Sequence, residues 1–290
     1  MNCGIEDQAH VRLEKLRRDV SAAREKAHEY LTGRQSPSGG FCFYRSRYTD
    51  HPNIADTACA VRSFAILGQP VPHADRVEAF LGGLGVSSQP EYLFHLATAL
   101  DELKADPLAA EVAGSIGRLR FLAVPAREFQ QTGWLERTRF VAHLKKRVAQ
   151  GDDEISAIAE YVRDQAVDGG FGTTPNLWDT WLALDIMRIA GAEMPDGTAR
   201  FVDLLQGGPS GFTLCPDTRV STLNTVFAGA QCCAMLGLPV RYPVAALQFV
   251  LACQTGNGGF AASPGALPDL ELTERALRTM KQLGVVLWPG

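Results

Sequence analysis

Gln165-Ala166-Val167-Asp168-Gly169-Gly170-Phe171, followed by Pro175-Asn176-Leu177-Trp178-Asp179-Thr180, decides the fold because the chain repeats it. Gln35 to Phe41 and Gln254 to Phe260 keep the six-residue offset and the Gly-Gly before the ring. Gln206 to Phe212 keeps the offset, with Ser210-Gly211 before the ring. Pro52-Asn53-Ile54-Ala55-Asp56-Thr57 repeats the second half as Pro-Asn-x-x-Asp-Thr. A pattern present four times in one chain marks a repeat architecture.

Each copy lies between two helix-like segments. Gly-Gly lets the backbone take left-handed conformations and turn sharply. The aromatic ring can then fold back over the helix end, and the Gln amide can bond backbone groups left open there. Pro followed by Asp and Thr is a helix-start signal. The unit therefore reads outer helix, Gly-Gly-Phe turn, inner helix.

Working outward, residues 9–32 form an amphipathic helix, then an aromatic-rich loop runs from Phe41 to Tyr48. A helix from Asp56 to Leu67 stops at Gly68 and Pro70, and the same stop recurs at Gly237 and Pro239. Residues 73–150 lack a clear Gly-Gly-Phe but divide into helix-like segments, with Gln131-Thr132-Gly133-Trp134 as a worn copy. Later inner helices begin near Leu177, Val220 and Leu270. The total is about twelve helices in six pairs, in one domain spanning 1–290. The segments Trp178 to Ile189 and Val220 to Leu236 carry few charges. Helices apolar on most sides are buried on most sides, which favours closure into an all-α, (α/α)6 toroid.

Composition excludes several function classes. A net charge of −4 gives no reason to expect nucleic-acid binding. There is no apolar run long enough for a membrane span and no leader pattern. Seven cysteines include no Cys-x-x-Cys pair, so neither a zinc ribbon nor a redox pair is indicated. A reduced, cytoplasmic protein with no cofactor is the expectation.

The Gln-x-x-x-Gly-Gly-aromatic repeat resembles that of the squalene and oxidosqualene cyclases and of protein prenyltransferase β subunits. The resemblance implies an (α/α)6 barrel with an apolar central cavity and an apolar, isoprenoid-like small molecule in it. It does not by itself choose a chemistry. At the places where prenyltransferases hold zinc, this chain has Leu223 and Leu272, so no metal is expected. Cys215 and Thr218 stand where that family's basic diphosphate clamp would be. In class II cyclases an Asp-x-Asp-Asp-Thr-Ala run supplies the proton. Here Asn53-Ile54-Ala55-Asp56-Thr57-Ala58 occupies that context, with Ala55 at the position of the family's proton donor.

Three carboxylates are candidates for a different acid: Asp185, Asp56 and Asp50. Asp185 lies one heptad after Trp178 in an apolar helix, where burial would raise its pKa; the bland alternative is a surface pair with Arg188. Asp56 shares its repeat position with Asp179, which suits a capping role as well as an acid. Asp50 adjoins His51 in the loop before the first inner helix. Trp178, Trp181, Tyr44 and Phe227 are the candidate substrate-binding aromatics, whose π faces could stabilise a cation. The leading expectation is a non-standard terpenoid-cyclase-like enzyme that cyclises or isomerises an apolar substrate by acid catalysis. The alternative is a binding or scaffold protein that keeps the barrel without the chemistry.

Overall fold

The computed structural model describes residues 3–45, 50–105, 109–121, 131–149 and 151–284. Among these residues the outer helices are α1 (Cys3–Gly33), α3 (Ala74–Gly83), α5 (Ala109–Arg118), α7 (Asp152–Arg163), α9 (Thr198–Leu204) and α11 (Pro243–Ala252). The inner helices are α2 (Ile54–Leu67), α4 (Pro90–Leu103), α6 (Gln131–Arg147), α8 (Leu177–Ala190), α10 (Leu223–Leu236) and α12 (Leu270–Leu283). Each inner helix packs on the next inner one, and α12 returns to α2, so the ring is closed. Two short strands, β1 (Phe260–Ala261) and β2 (Pro268–Asp269), pair antiparallel in the last turn. No described helix is long and apolar enough to cross a membrane. Arg47 and Tyr48 of the aromatic-rich loop lie outside the described residues.

Repeated local chemistry fixes each hairpin. Asn53 and Asn176 are the caps of α2 and α8; each side-chain oxygen accepts the amide of Asp56 or Asp179 at 2.9 Å. The aspartates therefore sit in the first turn, and the asparagines do the capping. The following threonine locks the turn to the helix. Thr57 accepts the Phe41 amide at 2.9 Å and donates to the Asn53 carbonyl at 2.6 Å. Thr180 treats Phe171 and Asn176 the same way, and Thr273 treats Phe260 and Asp269. All four repeat phenylalanines are fully buried. In the remaining copy Thr222 caps α10, so that helix begins at Leu223 rather than near Val220. Gln131 to Trp134 is helical, within α6, and forms no turn.

The repeat glutamines tie neighbouring hairpins together. Gln35 donates to the Pro72 carbonyl at 2.6 Å, just before α3, and Gln206 to that of Pro239 at 3.1 Å, just before α11. Gln254 donates to the Ala23 carbonyl of α1 at 2.8 Å, joining the chain's end to its beginning. Gln165 departs from the pattern and is exposed. Its turn is tighter, with Val167 and Gly170 exchanging backbone bonds around Asp168 (φ 50) and Gly169 (φ 83). That shift carries the glutamine out of register.

Gly258 shows why the turn needs glycine. Its φ is 93, and a Cβ there would stand 2.2 Å from the Lys26 carbonyl oxygen of α1. Gly39 meets the Arg76 carbonyl of α3 at the same 2.2 Å. Backbone thus lies directly on backbone at each junction. The ring is also closed by charge. Arg62 of α2 grips Glu274 of α12 through two bonds, at 3.0 and 2.7 Å, and donates to Thr98 of α4 at 2.9 Å. Burial pushes the Glu274 carboxyl up, but the Arg62 and Arg278 guanidiniums outweigh it and hold it down to about 2.

Two stability outcomes follow. Gly258→Ala should cost about 2–4 kcal/mol, from the left-handed backbone plus the clash. Gly237→Ala, with φ 66 and open space around it, should cost about 1 kcal/mol. Urea unfolding midpoints of the two variants check the difference. Because the Glu274 pKa is depressed, its stabilisation is full above the ordinary glutamate range and drains away as pH falls toward 2. Glu274→Gln should therefore flatten the acid limb of the stability–pH curve. It should also cost about 3–5 kcal/mol at neutral pH by stranding Arg62.

Candidate functional site

Helix register organises the lumen in layers. All six inner helices enter from the same end, so equal positions along them lie at about equal depth. The second residues of four of them, Glu91, Trp178, Asn224 and Glu271, form a mouth ring. The fifth residues Phe94, Trp181, Phe227 and Glu274 form a middle layer. The ninth residues Arg62, Thr98, Arg139 and Arg278 form the floor, about 12 Å along the helices. Together they enclose a cavity of about 600 Å³.

One wall is aromatic. Trp178 and Trp181 have ring centroids 4.7 Å apart, and Trp181 meets Phe227 edge to face at 5.0 Å. These three residues line the cavity. Tyr44 does not: it is 63% exposed and lies outside the lumen. Much of the rest of the lining is charged, with four arginines and four glutamates, which corrects the expectation of an apolar cavity. The Arg275 guanidinium carbon lies 4.8 Å from the Trp178 centroid, and that of Arg139 lies 4.8 Å from Trp181. The Arg275 guanidinium also lies 6.0 Å from the Phe227 centroid, so each of the three rings has a cation beside it.

Asp185 is buried, but it is not the raised carboxyl expected. It accepts Arg139 Nε at 2.6 Å, His143 Nε2 at 2.8 Å, and Arg188 Nε and Nη2 at 3.0 and 2.6 Å. Burial pushes its pKa up, yet the His143 bond and the Arg139 charge outweigh it and hold it far below the usual carboxylate range. It stays ionised and anchors Arg139. The Arg188 pair is present, joining an exposed guanidinium to the buried Asp185 carboxylate. Burial keeps His143 below the ordinary histidine value, so it is neutral and donates.

Asp56 turns away from the lumen and accepts the Phe43 amide at 2.7 Å and the Asn53 side-chain amide at 2.6 Å. Burial raises its pKa, and these two bonds oppose the rise. Asp50 lies in the outer loop, where its carboxylate accepts the Cys42 thiol at 3.5 Å. Neither faces the cavity. Ala55, at the family's acid position, borders an adjoining hollow of about 380 Å³ together with Glu91 and His95. Asp179 borders another of about 480 Å³ beside Trp178, accepting the Thr132 hydroxyl at 2.7 Å.

Glu136 and His95 were missed by sequence reasoning. Glu136 lines the lumen and accepts Trp178 Nε1 at 3.4 Å; burial raises its pKa, and that bond tempers the rise. His95 is buried with Nδ1 unpartnered, and burial lowers its pKa to about 4. The available signal was register: lumen residues recur at fixed distances from each inner helix cap. Leu223 and Leu272, which stand where the resemblance would put zinc ligands, are buried apolar side chains. Among the described residues no three His, Cys, Asp or Glu side chains converge to hold a metal.

No protein of curated function matches the sequence. The fold matches a solved structure of a variant of the type II terpene cyclase MstE from Scytonema, in complex with merosterolic acid A (product). That match has a TM-score of 0.55 and 15% identity, covering 93% of this chain and 98% of the other. The sequence model of the prenyltransferase alpha-alpha toroid domain matches residues 8–108 and 134–284, and the chain belongs to that family.

Proposed function

We propose that the toroid binds an amphipathic small molecule in its lumen and does not run carbocation cyclisation there. The observation that carries this is the pair of guanidiniums, Arg139 and Arg275, stacked over Trp181 and Trp178. A carbocation cavity needs bare π faces and a strong, dry acid. Here cations already cover the faces, and the buried carboxylates Asp185 and Glu274 are ionised. A positive intermediate would be repelled at the wall meant to stabilise it. The same wall suits a neutral ring or isoprenoid chain, held by dispersion and apolar burial. The free thiols of Cys42, Cys59, Cys215, Cys232, Cys233 and Cys253 support a reducing compartment such as the cytoplasm.

One observation favours a second reading, an acid–base isomerase. Glu136 is the lumen carboxyl whose pKa burial raises, and it touches Trp178. In its neutral form it could protonate a bound, already polarised substrate, a milder task than protonating an alkene.

Titration with isoprenoid alcohols, acids and diphosphates, read by tryptophan emission, tests both readings. Binding should quench Trp178 and Trp181, and Trp181→Ala should weaken it about tenfold or more with the fold intact by circular dichroism. No response to any of these molecules would sink the lumen reading. Mass spectrometry of the same mixtures separates the two. Turnover that is lost in Glu136→Gln, and that declines in wild type as pH rises through the Glu136 pKa, would install the isomerase.

A further inference from the structure

The floor of the lumen carries information about its occupant's charge. Arg62, Arg139 and Arg278 face Asp185 and Glu274, three guanidiniums against two carboxylates. Both carboxylates are heavily subscribed. Glu274 takes both Arg62 bonds and one from Arg278. Asp185 takes Arg139, His143 and the outer Arg188. At the floor itself the guanidiniums outnumber the carboxylates, although over the whole lining four arginines face four glutamates; the fields of Arg278 and Arg275 reach Arg139.

Arg139 is where that surplus can be used. Its side chain is largely buried, and only its Nε is tied to protein. The two Nη nitrogens meet no acceptor among the described residues. Beside it His95, 7% exposed, leaves Nδ1 with no partner. Both residues border the same cavity and both contact Phe94 and Phe140. The Nδ1 of His95 is sealed from the cavity, whereas the Arg139 donors are left open, and an unpaired guanidinium calls for an anionic partner. A guanidinium fork with two free donors matches a planar, two-oxygen anion. The mouth carries the carboxylates Glu91 and Glu271, about 10 Å above the floor. They disfavour an anion placed the other way up.

We propose that the occupant is an amphipathic organic carboxylate, bound head-down, with its carboxylate on Arg139 and its hydrocarbon body against Trp181, Trp178 and Phe227. This rests on the lumen being a small-molecule site. It adds the head group and the orientation. A single-charge head matches the floor's surplus, whereas a diphosphate exceeds it.

The test uses the full chain and four probes with one hydrocarbon body: farnesoic acid, its methyl ester, farnesol and farnesyl diphosphate. Dissociation constants come from tryptophan quenching near neutral pH at fixed ionic strength. The acid should bind about tenfold or more tighter than the ester or the alcohol. That preference should fall to about twofold in Arg139→Gln and survive in part in Arg139→Lys. Equal binding of acid, ester and alcohol to wild type overturns the carboxylate assignment and leaves the lumen site standing. So does tighter binding of the diphosphate, or an acid preference untouched in folded Arg139→Gln. Failure of all four probes to bind overturns the inference and the lumen reading together. The wild-type comparison holds even if an Arg139 variant does not fold.

Discussion

The structure depends on backbone lying against backbone where each turn meets the next outer helix. Gly258 on Lys26 and Gly39 on Arg76 leave no room for a side chain. Each hairpin alone has an apolar face that it cannot cover, and stacking on its neighbour covers it. The second glycine of each pair completes the junction. A Cβ at Gly40 or Gly259 would stand 2.6 Å from the ring of Phe80 or Tyr30, respectively. The turn is thus a docking surface as much as a reversal of chain direction. The threonine hydroxyls that fasten it to the inner helix set the angle at which that helix enters the ring.

Fixed entry has a consequence for chemistry. When every inner helix starts from an equivalent cap, side chains at equal offsets share a depth. Single substitutions along one helix then become changes to a ring of six positions. Arg62, Arg139 and Arg278 lie on three different helices, yet they form one floor because the caps place them there. Asp185, the ninth residue of α8, lies at the same level and joins them. The repeat that builds the scaffold thereby also builds the polar layer.

Much of this was legible in the sequence, and the boundary is physical. The Gly-Gly-Phe copies and Pro-Asn-x-x-Asp-Thr runs are local, so they announced the hairpins and their closure. Trp178, Trp181 and Phe227 could be placed on the lumen because their helices carry few charges. The ionic partners could not be read, since they join segments remote in the chain. Arg62 and Glu274 are 212 residues apart, and Asp185 meets His143 across 42. Read alone, Asp185 looked like a carboxyl with a raised pKa, because its burial was foreseeable and its partners on α6, Arg139 and His143, were not. Tyr44 failed for the opposite reason: an aromatic run in a loop says nothing about which side of the wall it takes. Gln165 kept the motif and lost its role because one tighter turn moved it.

Ala55 and the arginine floor are two sides of one electrostatic condition. A carboxylic acid that protonates an alkene works where water is excluded and the group still holds its proton at rest. A guanidinium opposes both requirements, because it carries a fixed charge and draws solvent or counter-ions into a cavity. Arg139 and Arg275 over the tryptophans would oppose a carbocation even if the acid were present, so restoring a carboxyl at position 55 would not by itself restore cyclase chemistry. What remains favourable in such a lumen is the reverse polarity. An anion gains from the floor, and its apolar remainder gains from the wall.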